Sequence, residues 1–250
     1  LPFSFDASYR EAERDFAWPL YVMNEYVRVT SDEAYHRNVA GQLARYMVQW
    51  WQTPRDHIGY NPATQQVQNT VVGRNDASQG TGWWTMTTMD NSNGYSAANG
   101  TNPWMAGALL GNLIRFYQQD QLFIGAGKAS AIDPPVYVDM LLQGMNYVVK
   151  NGYDPTRKIF VYSEATRAYD GGPNHLVYPL AYLNRLYNRE AAAGRIAHPS
   201  WYDTRSTWGT LVADHLQKYN SLQVGQNTQS YGFYGYEIVY PLDFFKVVLE

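Results

Sequence analysis

Stacked, antiparallel helical hairpins are the fold this sequence predicts: an all-α chain, with long loops and short strands on one face. Three observations carry the prediction. A Trp/Tyr-Pro-Leu motif recurs, as Ala17-Trp18-Pro19-Leu20, Val177-Tyr178-Pro179-Leu180 and Val239-Tyr240-Pro241-Leu242, with Asn102-Pro103-Trp104 as a variant between the first two. The prolines are spaced by 84, 76 and 62 residues, and each precedes an apolar, helix-patterned run. Pro is at home in a first helical turn, and self-similarity on this scale marks a repeated supersecondary unit. A second echo, Gly59-Tyr60-Asn61-Pro62 and Gly152-Tyr153-Asp154-Pro155, follows two other helical runs. Finally, apolar residues return at helical spacing, most clearly as Val39, Leu43, Tyr46, Met47 and Trp50.

The elements follow in order. Residues 6–30 read as a first helix striped by Leu20, Met23 and Val27, with a kink or restart expected at Pro19. Thr30-Ser31-Asp32-Glu33 has the capping-box pattern, so a second helix starts almost at once and ends near Thr53-Pro54. Residues 54–101 lose the helical period; Gly59-Tyr60-Asn61-Pro62 reads as a turn and residues 66–72 as a short strand. Asn102 and Pro103 open a third helix striped by Met105, Leu109, Leu113 and Phe116, followed by a small-residue connection over 120–132. Asp133-Pro134 opens a fourth, striped by Tyr137, Leu141, Met145 and Val148 and stopped at Asn151-Gly152. A strand over 158–162 and a Gly-Pro loop over 169–174 precede a fifth helix carrying Leu176, Leu180, Leu183 and Tyr187. Ser200 caps a sixth, with Trp208, Leu211, Val212, His215 and Tyr219 on one face, and Pro241 opens a seventh.

Composition narrows the function. A length of 250 residues suits one helical-repeat domain over 1–250. The last residues open a helix at the very end of the chain, so a longer protein with further domains is the expectation. Net charge is −3 and charged residues make up 16%, which argues against a nucleic-acid partner. Without Cys, neither disulfides nor thiolate chemistry is available. No apolar run reaches the roughly 20 residues of a membrane span. The chain starts at Leu1, as a trimmed or mature form would, and a secreted or periplasmic location is expected. The 22 Tyr and 8 Trp stand among Asn, Gln, Thr and Ser, a surface suited to a polyhydroxylated ligand. The five His show no metal-ligand spacing, so neither metal nor cofactor is expected. No phosphate-binding Gly-rich loop and no nucleophile elbow is present.

Parity places the site. Consecutive antiparallel helices put alternate loops at opposite ends. The loops 30–31, 120–132 and 190–199 are short or bland, whereas 54–101, 152–174 and 220–238 are long and rich in Tyr, Trp, Asn and Gly. The three elaborate loops are therefore expected on one face. With its helical repeats, Asn102-Pro103-Trp104-Met105-Ala106-Gly107 and Arg28-Val29-Thr30-Ser31-Asp32-Glu33 among them, the chain resembles the α/α toroid carbohydrate-active enzymes. These are the six-hairpin glycosidase-like superfamily and the toroidal polysaccharide lyases, and in particular the helical domain of exo-rhamnogalacturonan-lyase-like proteins. The resemblance implies an α/α toroid or part of one, acting on an oligo- or polysaccharide. A complete toroid of that kind has up to twelve helices against the seven read here. Either more sequence completes it or the toroid is open.

Two chemistries fit the loop residues. Elimination from a uronic acid needs a base for the C5 proton and groups that stabilise the carboxylate. Glycoside hydrolysis needs two carboxylates roughly 5 to 10 Å apart. The candidate catalytic residues are His57, Tyr60, Asp76, Glu164 and His175. Candidate substrate contacts are Arg74, Asn75, Trp83, Trp84, Arg167, Asp170 and Tyr234, with the tryptophans as stacking platforms for a pyranose face. Of the adjacent Trp83 and Trp84, one is expected to be buried and the other to face ligand. A uronic-acid lyase is preferred; a glycoside hydrolase and a non-catalytic glycan-binding or structural module stay open. His36, His198 and His215 are expected to be structural.

Overall fold

A computed structural model describes residues 13–52, 55–61, 66–72, 103–161, 176–195, 208, 210 and 211. These residues are mostly helical. In order come α1 (Glu13–Thr30), α2 (Glu33–Tyr35), a π-helical turn (His36–Ala40), α3 (Gly41–Gln52), β1 (Arg55–Asn61), β2 (Gln66–Val72), α4 (Pro103–Gly125), α5 (Pro134–Gly152), β3 (Tyr153–Asp154), β4 (Ile159–Phe160) and α6 (Val177–Ala192).

The predicted apolar stripes are the faces that meet. Leu20 and Val27 of α1, Leu43 and Met47 of α3, and the full sets named for α4, α5 and α6 are buried. Within α5 every residue over 140–149 is buried. A helix apolar all round is a central one, and α3, α4, α6 and β1 all pack on α5.

The first hairpin shows how local chemistry sets direction. Ser31 takes a left-handed φ of 56° and its N–H bonds Val27 O at 2.8 Å, which ends α1. The cap of α2 is Asp32, whose Oδ1 accepts from Tyr35 N at 2.9 Å. The expected capping box is therefore not formed. Thr30 Oγ1 turns back to Tyr26 O at 2.8 Å, and Glu33 pairs with Arg37. Replacing Asp32 by Ala is expected to cost about 1 kcal/mol in chemical denaturation, the usual worth of an N-cap, with Thr30→Ala costing less.

Four further expectations are corrected. Pro19 does not open a helix: α1 runs through it from Glu13, because a buried face holding Phe16, Ala17 and Leu20 outweighs one lost backbone bond. Pro103 and Pro179, by contrast, do sit in first turns. Residues 120–125 of the connection read over 120–132 belong to α4, which extends to Gly125 because Asp120 and Phe123 have partners on the π turn. Gly59, Tyr60 and Asn61 are not a turn but the end of β1, paired antiparallel with β2 from Arg55↔Val72 to Asn61↔Gln66. Lys158 likewise lies in a turn, leaving Ile159–Phe160 as the strand.

Parity is visible at both ends of the helices. Lys128 Nζ lies 3.5 Å from Glu33 Oε2, and Arg45 Nη1 donates to Ala131 O at 2.6 Å. The α1–α2 turn and the α4–α5 connection thus share one end. At the other, a Cβ added to Gly152 would stand 2.7 Å from Pro103 Cγ, so the end of α5 meets the start of α4. Val161 N donates to Gly152 O at 2.8 Å, folding the β3–β4 hairpin back onto this junction.

Candidate functional site

The loop end is where the sequence placed its chemistry. Residue 103, which closes the stretch 54–101, and residue 152, which opens 152–174, stand side by side there through the Gly152–Pro103 contact. The β1 strand lies against α5. Within β1, His57 pairs in register with Thr70 and Tyr60 with Val67. Positions 57 and 60 fall on opposite faces of a two-residue repeat. Asp76, Glu164, His175, Arg74, Asn75, Trp83, Trp84, Arg167, Asp170 and Tyr234 lie outside the described residues. The expected split between Trp83 and Trp84 lies there with them, as do His198 and His215.

Two polar clusters escaped the sequence reading. The first is centred on Asp120, which is wholly buried beside a His36 that is 1% exposed. Asp120 Oδ1 lies 3.2 Å from His36 Nε2 and 2.8 Å from Ala131 N, and Oδ2 lies 2.5 Å from Ser130 Oγ. A carboxylate only accepts, so His36 Nε2 carries the proton. The imidazole stacks on Phe116, centroids 4.4 Å apart, with Phe123 at 5.0 Å. Burial pushes the Asp120 carboxyl up, but the bonds from His36, Ser130 and Ala131 outweigh it and hold the group below its ordinary value. The residue types are those of a hydrolytic triad, but their order is wrong. Asp120 stands between Ser130 and His36, so the hydroxyl meets a carboxylate and not the imidazole that a triad would set against it. The cluster closes the bland end, as the structural reading of His36 anticipated. A signal was present: Asp120 is the sole acid in α4, an apolar helix of 23 residues.

The second cluster ties α6 to α4. Glu190, 7% exposed, accepts from Arg189 Nε at 2.9 Å and from Arg195 Nε at 2.6 Å. Those bonds, the one from Arg195 first, overcome burial and lower the Glu190 carboxyl. Arg195 N also donates to Glu190 O at 2.9 Å, around Gly194 at φ 68°, so the ion pair locks the C-terminal turn of α6. Arg189 Nη2 reaches Tyr117 Oη at 3.4 Å, and Tyr178 Oη donates to Gln118 Oε1 at 3.0 Å.

The buried tyrosines bear on the choice of base. Burial raises Tyr117 despite the nearby Arg189, raises Tyr137 well above its ordinary value with help from Asp120, and pushes Tyr182 up to about 12. All three stay protonated near neutrality, so none is a resting general base. Among the described residues no group of His, Cys, Asp and Glu is arranged to hold a metal ion, and no helix is long and apolar enough to cross a membrane.

No family model matches the chain, and neither a curated protein nor a solved structure matches it.

Proposed function

We propose that the chain is a carbohydrate-active helical domain that processes an oligo- or polysaccharide, with elimination from a uronic acid as its preferred chemistry. The hairpins are taken as an α/α toroid or part of one. One observation supports this reading most: the junction of Gly152 with Pro103 roots two of the three elaborate loops beside each other at one end of a rigid helical array. Loops on a rigid support are the usual bearers of binding and chemistry. The composition of those loops fits a glycan, with aromatics for stacking and Arg, His and Asn for an acidic sugar. Because burial holds the Tyr117, Tyr137 and Tyr182 phenols protonated, the base is assigned to the loops. Incubation with uronic-acid polysaccharides is expected to give unsaturated products that absorb in the ultraviolet. New reducing ends without that absorbance would identify a hydrolase, and binding without turnover a glycan-binding module. The absence of both binding and turnover across acidic and neutral glycans would end the proposal.

A further inference from the structure

Tyr182, Arg185 and Arg189 follow one another at i, i+3 and i+7 along α6, so they share one face of that helix. Arg189 is held in a set direction. Its Nε donates to Glu190 at 2.9 Å and its Nη2 reaches Tyr117 Oη at 3.4 Å, which fixes the guanidinium plane, while its Nη1 bonds no described residue. Arg185, one turn earlier, is exposed and bonds no described residue at all. Its neighbours on the helix surface, Ala181, Tyr182, Asn188 and Arg189, include no acid, and Arg189 repels it. The Tyr182 hydroxyl likewise bonds no described residue. Burial above all, with the Tyr117 phenol adding to it, pushes the Tyr182 phenol up to about 12, so that hydroxyl stays a donor. Over 182–195 three guanidiniums stand against one carboxylate, Glu190, a surplus of two positive charges in a chain whose net charge is −3. Tyr117 lies in the half of α4 that leads to the α4–α5 connection, so this face belongs to the end opposite the elaborate loops.

We propose that this face of α6 is an oxyanion site, in which Arg185 closes on a tetrahedral dianion, phosphate or sulfate, seated against Arg189 and the Tyr182 hydroxyl. A guanidinium presents paired donors that fit two oxygens of such an anion. The charge of a dianion matches the surplus on the helix, and its place between Arg185 and Arg189 turns their repulsion into two attractions. Arg189 is oriented in advance by Glu190 and Tyr117, so only Arg185 has to be ordered when the anion binds. The site is separate from the proposed glycan site and does not rest on that reading.

The test follows melting temperature against inorganic phosphate and against glucose 6-phosphate, with sodium chloride added to hold the ionic strength constant. The pH is set at about 8, where the phosphoryl group is a dianion. Phosphate also stabilises folded proteins in general through its exclusion from their surface, and it does so alike in each variant. The quantity read is therefore the gain of the wild type over that of Arg185→Gln. In chloride alone the two proteins are expected to melt together, because Arg185 leaves no bonded partner behind. In phosphate the wild type is expected to gain more, with an affinity about tenfold above that of Arg185→Gln, as the loss of one charge-assisted contact implies. Arg185→Lys keeps the charge without the fork and is expected to fall between them. Tighter binding of the ester would make a phosphorylated sugar the ligand, and equal binding the free ion; both outcomes support the site. Equal phosphate gains in wild type and Arg185→Gln would overturn it. A wild type that gains no more from phosphate or its ester than Arg185→Gln does from chloride would overturn it as well.

Discussion

Replacing Asp120 by Ala is expected to destabilise the fold by about 2–6 kcal/mol, the sum for two buried donors left without an acceptor. The side chain is wholly buried and accepts from His36, Ser130 and Ala131, which come from the π turn and the α4–α5 connection. Its loss leaves His36 Nε2 and Ala131 N without acceptors where water cannot replace them, at about 1–3 kcal/mol each. Ser130→Ala removes only one donor and is expected to cost about 1 kcal/mol. The pH dependence follows in sign. The folded carboxyl is held below its unfolded value, so its contribution is complete above that value, near 3.8, and is lost as pH falls through the folded one. Denaturation curves below pH 4 should therefore fall less steeply for Asp120→Ala than for the wild type. Glu190, also lowered, keeps some acid sensitivity in both proteins. Parallel acid limbs in the two proteins, or a cost near zero at pH 7, would contradict the role given to this cluster.

What the sequence revealed, and what it hid, divides along contact range. Apolar stripes are local, and Leu109, Leu113, Tyr137, Leu141, Leu180 and Leu183 lie buried where period alone put them. The end of α4 was misread because Gln118-Gln119-Asp120-Gln121 looks like a polar exit from a helix. The partner that keeps it helical, His36, is 84 residues away. Pro19 shows the opposite error, a strong local signal overruled by burial of Phe16 and Leu20 around it. The Gly-Tyr-Asn/Asp-Pro echo proved to have a different meaning: in both copies Tyr-Asn or Tyr-Asp ends a strand whose partner follows, at Gln66 and at Ile159. It marks β-hairpins at the loop end. Helix parity anticipated that the end of α5 and the start of α4 meet, as the Gly152–Pro103 contact shows, whereas Asp76, Glu164 and Arg167 lie outside the described residues, in stretches of sequence that have no period to read.

Gly152→Ala is the second substitution expected to have a large effect, and it probes the junction on which the functional reading rests. Within a helix, Gly→Ala ordinarily stabilises by up to about 1 kcal/mol through backbone entropy. At Gly152 the new methyl would stand 2.7 Å from Pro103 Cγ and 3.7 Å from Phe160 Cδ1. Pro103 is a ring in the first turn of α4 and Phe160 is fully buried, so neither side moves cheaply. Overpacking of this kind costs about 1–3 kcal/mol and exceeds the propensity gain. Gly125, the last residue of α4, supplies the control, because a Cβ there meets nothing within 4 Å. Gly125→Ala is expected to be neutral or slightly stabilising at the bland end. The two variants should also part in function. Pushing α5 from α4 at Gly152 shifts the roots of the stretches 54–101 and 152–174 relative to each other, so glycan affinity should fall in Gly152→Ala even at temperatures where it remains folded. Gly125→Ala should bind as the wild type does. Loss of stability without loss of binding would make the junction a packing contact only and would remove the main support for a shared site.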